Sequence, residues 1–258
     1  MERRIGSLWA DVVEPESAKF TAPLVLIHGL WGTAGIWRGF TGYLAHRGWL
    51  CVSVQLHRDG SAGGPTSLAG HVENLRRLLV ALPAPAVLVG YDLGALLALL
   101  LADAGVAAVA LSPIVTPLMP RSELKRVVAG SRTDRLLGRL FLAPPRRWRH
   151  VYSDRRSELE PAALLDELQR LDVDVPRLPA SVPGLIMVGG RDALTSADAA
   201  RALADRINAE LRIEPEAGHA LPVEPAWERR VSEIHKWVVQ RLGRPLLALF
   251  DDSFDSES

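Results

Sequence analysis

Five short apolar runs, at residues 24–28, 51–56, 86–90, 106–111 and 185–189, recur along the chain with helix-like segments between them. This alternation constrains the fold more than any other feature. A strand that is apolar throughout must be covered on both faces, and helix-length connections allow its neighbours to run parallel. The pattern therefore predicts the α/β class, with a mostly parallel central sheet flanked by helices. Residues 35–48 carry Ile36, Trp37, Phe40, Tyr43 and Leu44 at helical spacing, and residues 66–82, capped by Thr66 or Ser67, carry Leu68, Val72, Leu75 and Leu79 on one face. Helices are also expected over 93–103, 197–208 and 225–242, the last turning Trp227, Val231, Ile234 and Val238 inward.

The rhythm breaks between Pro113 and Pro183, where prolines recur and no convincing strand is found. Residues 113–183 are read as an inserted helical cap, residues 1–112 and 184–250 as the core, and 251–258 as an acidic disordered tail. Within 121–160, eleven Lys or Arg stand against five Asp or Glu. This is read as a solvated helical face, with an anionic ligand or partner as the sharper alternative.

Composition narrows the partners. Thirty basic residues balance thirty acidic ones in 258 residues, so no global field steers the protein to nucleic acid or a membrane, and the expected partner is a small-molecule substrate. Cys51 is the only cysteine, which excludes an internal disulfide and a cysteine-built metal site; it reads as core. No cofactor or metal is expected. The N-terminal residues lack the apolar stretch of an export signal, and the apolar region 87–115 is interrupted by Asp92 and Asp103, so a cytoplasmic, non-membrane protein is expected. The oligomeric state is left open.

The chemistry concentrates at strand ends. Gly90-Tyr91-Asp92-Leu93-Gly94 closes one apolar run and passes straight into a helix. Small residues two positions either side of a central one permit a sharp elbow that holds the middle side chain above the sheet. That side chain is Asp92. After the cap, Gly189-Gly190-Arg191-Asp192 ends another run in an acid, and Glu216-Ala217-Gly218-His219-Ala220 follows; His28-Gly29-Leu30-Trp31-Gly32 closes the first run. Each of these residues also has a structural reading: Asp92 and Asp192 as helix caps, His219 as a loop residue, His28 as a support for its loop, and His46, His57, His71 and His235 as surface or helix residues.

These four motifs, in this order, resemble those of α/β-hydrolase-fold proteins with a helical cap, over about residues 8 to 242. The resemblance implies that Asp92 is the nucleophile, Asp192 the acid, His219 the base, and the Leu30 and Leu93 amides the oxyanion hole. The acid is expected at Asp192 because the run 106–111 leads into Ser112-Pro113-Ile114 without a carboxylate. An aspartate at the elbow implies the branch containing epoxide hydrolases and haloalkane or haloacid dehalogenases. A carboxylate can open an epoxide or displace halide at an sp3 carbon, leaving an ester that histidine-activated water then cleaves. Two carboxylates beside one imidazole favour the protonated ring before substrate binds.

The sequence departs from both branches. Leu93 stands where haloalkane dehalogenases carry a halide-binding Trp, although Trp31 could replace it. Tyr152 is the only cap tyrosine where epoxide hydrolases use two, with Trp148, Arg149 and His150 as neighbouring donors. Trp31, Tyr91, Trp148 and Tyr152 are the substrate-binding candidates. Three classes follow: an Asp-nucleophile hydrolase, with epoxide favoured over halide; a non-hydrolytic acid–base enzyme; and a binding protein without chemistry.

Overall fold

The structure, a computed structural model, describes residues 1–30, 32–57, 67–114, 163, 164, 167, 168 and 174–243. Eight strands form one sheet: β1 (Glu2–Ile5), β2 (Leu8–Val13), β3 (Leu24–Ile27), β4 (Cys51–Gln55), β5 (Val87–Tyr91), β6 (Ala107–Leu111), β7 (Gly184–Gly189) and β8 (Glu210–Glu214). Their order is β1-β2-β4-β3-β5-β6-β7-β8. The β1–β2 hairpin is antiparallel and β2 joins β4 antiparallel, whereas every pairing from β4 to β8 is parallel.

The apolar runs are double-sided, as the alternation requires. Val25 and Ile27 of β3 enter one core cluster, while Leu24 and Leu26 enter the other. On the first face pack α2 (Leu68–Val80), α3 (Leu93–Leu100) and α4 (Ala197–Ile207); on the second, α1 (Arg38–His46) and α5 (Trp227–Leu242). Ser67 caps α2 by accepting from the Gly70 amide at 3.1 Å, and the Glu167 carboxylate accepts from the Leu68 amide at 2.9 Å.

Three differences from the expected fold have physical causes. Strands β1 and β8 read Glu-Arg-Arg-Ile and Glu-Leu-Arg-Ile-Glu; as sheet edges they keep charged residues and lack the apolar run that marks central strands. Strand β2 alternates buried and half-buried residues, a weaker signal than an unbroken run. His71 is buried rather than exposed, because it falls on the same face of α2 as Leu68 and Leu75. Ahead of the expected boundary at Pro183, Val175, Leu178 and Val182 belong to the first core cluster, and the Leu178 amide donates to the Ile207 carbonyl. Leu164 and Leu168 pack into that cluster as well. The remainder of the expected cap and the 251–258 tail lie outside the described residues.

No helix among the described residues is long and apolar enough to cross a membrane. Cys51 is buried, as expected of a core residue, and burial pushes its thiol up to about 12.

Candidate active site

Strand β5 delivers Asp92 at the C-terminal edge of the sheet. Its backbone sits at φ 57°, ψ −118°, a region that L-residues rarely occupy and that occurs where surrounding structure enforces it. The close approach requires glycine: a Cβ at Gly90 would lie 2.0 Å from the Gly94 oxygen, and one at Gly94 2.1 Å from the Ile27 oxygen. Asp92 makes no side-chain hydrogen bond to its own helix, which removes the capping explanation for this carboxylate.

That carboxylate, on a residue only 6% exposed, is shared between two partners. Oδ2 accepts from the Leu30 amide at 2.7 Å, and Oδ1 lies 3.2 Å from His219 Nε2. Gly29 leaves room for this arrangement, since a Cβ there would fall 2.5 Å from Oδ2. The Leu30 loop is held from below by His28, whose Nδ1 donates to Gly29 at 2.8 Å and whose Nε2 accepts from the Leu56 amide at 3.2 Å. These bonds require the neutral ring with its proton on Nδ1. Burial, reinforced by His57 and opposed by the Gly29 bond, brings His28 down to about 3.

Asp192 follows β7 and has two functions at once. Its Oδ1 accepts from the Leu194 and Thr195 amides at 2.8 and 3.0 Å, organising the turn into α4, while Oδ2 lies 2.9 Å from His219 Nδ1. Burial alone would raise its carboxyl; His219 and the two amides hold it below the usual range. His219, 3% exposed, sits between the two carboxylates. Burial disfavours its charge, but Asp192 first and Asp92 second outweigh that cost and raise the ring to about 10. At neutral pH it is an imidazolium donating at both nitrogens.

The structure thus brings Asp92, Asp192, His219 and the Leu30 amide together. Leu93, the first residue of α3, is buried directly after Asp92. Tyr91 is buried in the second core cluster with its ring centroid 5.4 Å from that of His219. Trp31, Trp148 and Tyr152 lie outside the described residues. Glu224 went unnoticed in the sequence; its carboxylate accepts from the Gly218 and Ala220 amides on either side of His219. Among the described residues, no cluster of three or more His, Cys, Asp or Glu is arranged to hold a metal ion.

An open α/β sheet carrying an acid at a strained strand-to-helix elbow, with a carboxylate-bound histidine over it, defines a hydrolase-type scaffold. Residues 24–233 match the Alpha/beta hydrolase family, and the chain belongs to it. No curated protein matches the chain. Solved structures that share the fold include an E-2-(acetamidomethylene)succinate hydrolase (20% identity, TM-score 0.70, 92% of this chain and 98% of that one). An esterase from Exiguobacterium antarcticum (16%, TM-score 0.73, 92% and 99%) and a thermophilic esterase from Thermogutta terrifontis (18%, TM-score 0.70, 93% and 99%) share it too.

Proposed function

We propose that the protein hydrolyses a small neutral substrate by nucleophilic attack of Asp92 on an sp3 carbon, with an epoxide as the substrate class. The observation that carries this reading is the division of the Asp92 carboxylate: Oδ2 is held by the Leu30 amide, while Oδ1 faces His219. Oδ1 attacks carbon and a carbon–oxygen bond of the ring breaks, giving an ester of Asp92 whose carbonyl oxygen is Oδ2. The opened oxygen takes up one proton, and the His219 ring, relieved of the Asp92 charge, releases one. Neutral His219, still held by Asp192, then deprotonates a water that attacks Asp92 Cγ. The Leu30 amide meets the oxyanion on Oδ2, with the Leu93 amide as the second expected donor. The diol leaves and the carboxylate returns.

Epoxide is preferred to halide because the Leu93 side chain presents no polar hydrogen to a departing halide. A second reading, acid–base chemistry without a covalent step, is favoured by the direct contact between the His219 imidazolium and Asp92 Oδ1. A single turnover in heavy-oxygen water separates the two. Water attack on Cγ places label in Asp92, detected by mass spectrometry of the elbow peptide. Label found only in product, with none in Asp92, makes the carboxylate a base and overturns the nucleophilic reading.

A further inference from the structure

We infer that Glu224 is a positioning residue for His219, holding the imidazole where it can meet Asp192 and Asp92 together; its role in ester cleavage rests on the nucleophilic reading above. Glu224 lies on the loop between His219 and α5 and is 1% exposed. Its Oε2 accepts from the Gly218 amide at 2.7 Å and its Oε1 from the Ala220 amide at 2.9 Å. One carboxylate thus clamps the two peptide groups adjoining the histidine.

Arg230, also buried, secures the other end of the same loop. Its Nη1 donates to the Leu221 and Glu224 carbonyls at 2.9 and 3.3 Å, its Nη2 donates to Pro225 at 2.8 Å, and its Nε approaches Glu214 at 3.4 Å. Glu214 ends β8 and accepts through its backbone from Gly190, two residues before Asp192. The clamp is therefore registered against the strand end that carries the acid. Removal of one member of such a network leaves the others buried and unpaired, so the loop keeps one geometry.

That geometry matters because His219 must satisfy both ends of its ring at once, with Nδ1 2.9 Å from Asp192 and Nε2 3.2 Å from Asp92. Hydrogen bonds weaken quickly beyond these lengths, and a displacement of about 1 Å at a reacting group costs on the order of 100-fold in rate. Burial raises the Glu224 carboxyl above its ordinary range, and the two amides, Arg230 and His219 favour its charged form against that. The groups facing the imidazole are Asp92 from the elbow, Asp192 from the β7 end, the Tyr91 ring, and the Glu224 carboxylate behind its backbone.

The test uses the full chain with Glu224→Gln, which keeps the shape, removes the charge and sets an amide NH2 against a backbone N–H. Ring NMR of His219 is read first and needs no substrate: its titration midpoint moves to lower pH in Glu224→Gln and returns towards the wild-type value in Glu224→Asp. Single-turnover kinetics are read second: formation of the Asp92 adduct stays within about twofold, while its hydrolysis slows about 10-fold or more. If Glu224→Gln does not fold, Glu224→Asp is read alone, with an unshifted midpoint and hydrolysis slowed about threefold as the expected result. An unmoved midpoint in Glu224→Gln, or equal slowing of both steps, overturns the inference. An adduct absent from the wild type as well overturns the nucleophilic reading instead, and the NMR result then decides on Glu224 by itself.

Discussion

His28 and His219 flank Asp92 and are both buried, yet burial leaves them in opposite states. At the Leu30 loop, His28 faces backbone and another histidine, and its ring is brought down to about 3. On the other side, His219 faces two carboxylates and is raised to about 10. Desolvation acts in the same direction on both, so the partners decide the charge. A neutral ring serves the Leu30 loop, which needs one donor and one acceptor; a charged ring serves the triad, which needs two donors.

The largest effect is expected on the charged side. His219→Gln should lower turnover about 10^4-fold, with the elbow peptide gaining and keeping the mass of a substrate fragment. Recovery of free elbow peptide at the normal rate would give water activation to another residue. Asp192→Asn, which takes away the partner that contributes most to the histidine's charge, should cost about 10^3-fold in kcat at an unchanged fold. Near-normal turnover there would mean that Asp192 only organises the turn into α4. On the neutral side, Gly29→Ala forces a Cβ to within 2.5 Å of Asp92 Oδ2. The displaced carboxylate should lose about 100-fold in adduct formation, and a wild-type rate would show that the Leu30 contact is dispensable.

The smallest effect is a pH dependence of melting temperature with opposite signs for the two rings. An unfolded histidine titrates near 6.5. With His28 held at about 3 and His57 at about 4, the unfolded chain binds protons that the folded chain refuses. Their contribution is complete above about pH 6.5 and is lost as pH falls towards 3 to 4. His219, raised to about 10, contributes fully below about pH 6.5 and loses that contribution as pH rises through 10. His28→Gln should therefore flatten the acid limb by about 5 °C and His219→Gln the alkaline limb by a similar amount, as calorimetry at each pH reports. Identical limbs in all three proteins would remove the contrast.

Asp92, Asp192 and His219 were legible because strand-end acids and paired glycines leave a local signature, and Leu30 because it adjoins the same kind of turn. Glu224 and Arg230 were not. A charged residue near a helix start ordinarily signals a solvated surface, and only the fold reveals that these two are inside. The same reasoning explains β8, whose glutamates and arginine hid a strand, and His71, whose polarity hid a core position on α2. Tyr91 was legible as a strand-end aromatic, but its ring contact with His219 depends on a loop more than 100 residues further along.

The strand order has a consequence for how the protein comes into being. Strands β3 and β5 lie in the middle of the sheet, and β6, β7 and β8 are added outward on one side. A chain emerging from the ribosome can thus set Asp92 beside Leu30 while the histidine, 127 residues further on, is still unmade. Distant pairings of this kind form late. On the nucleophilic reading, Asp92 has no base until β7 and β8 dock, and an aspartyl ester formed in that interval has no internal route to cleavage.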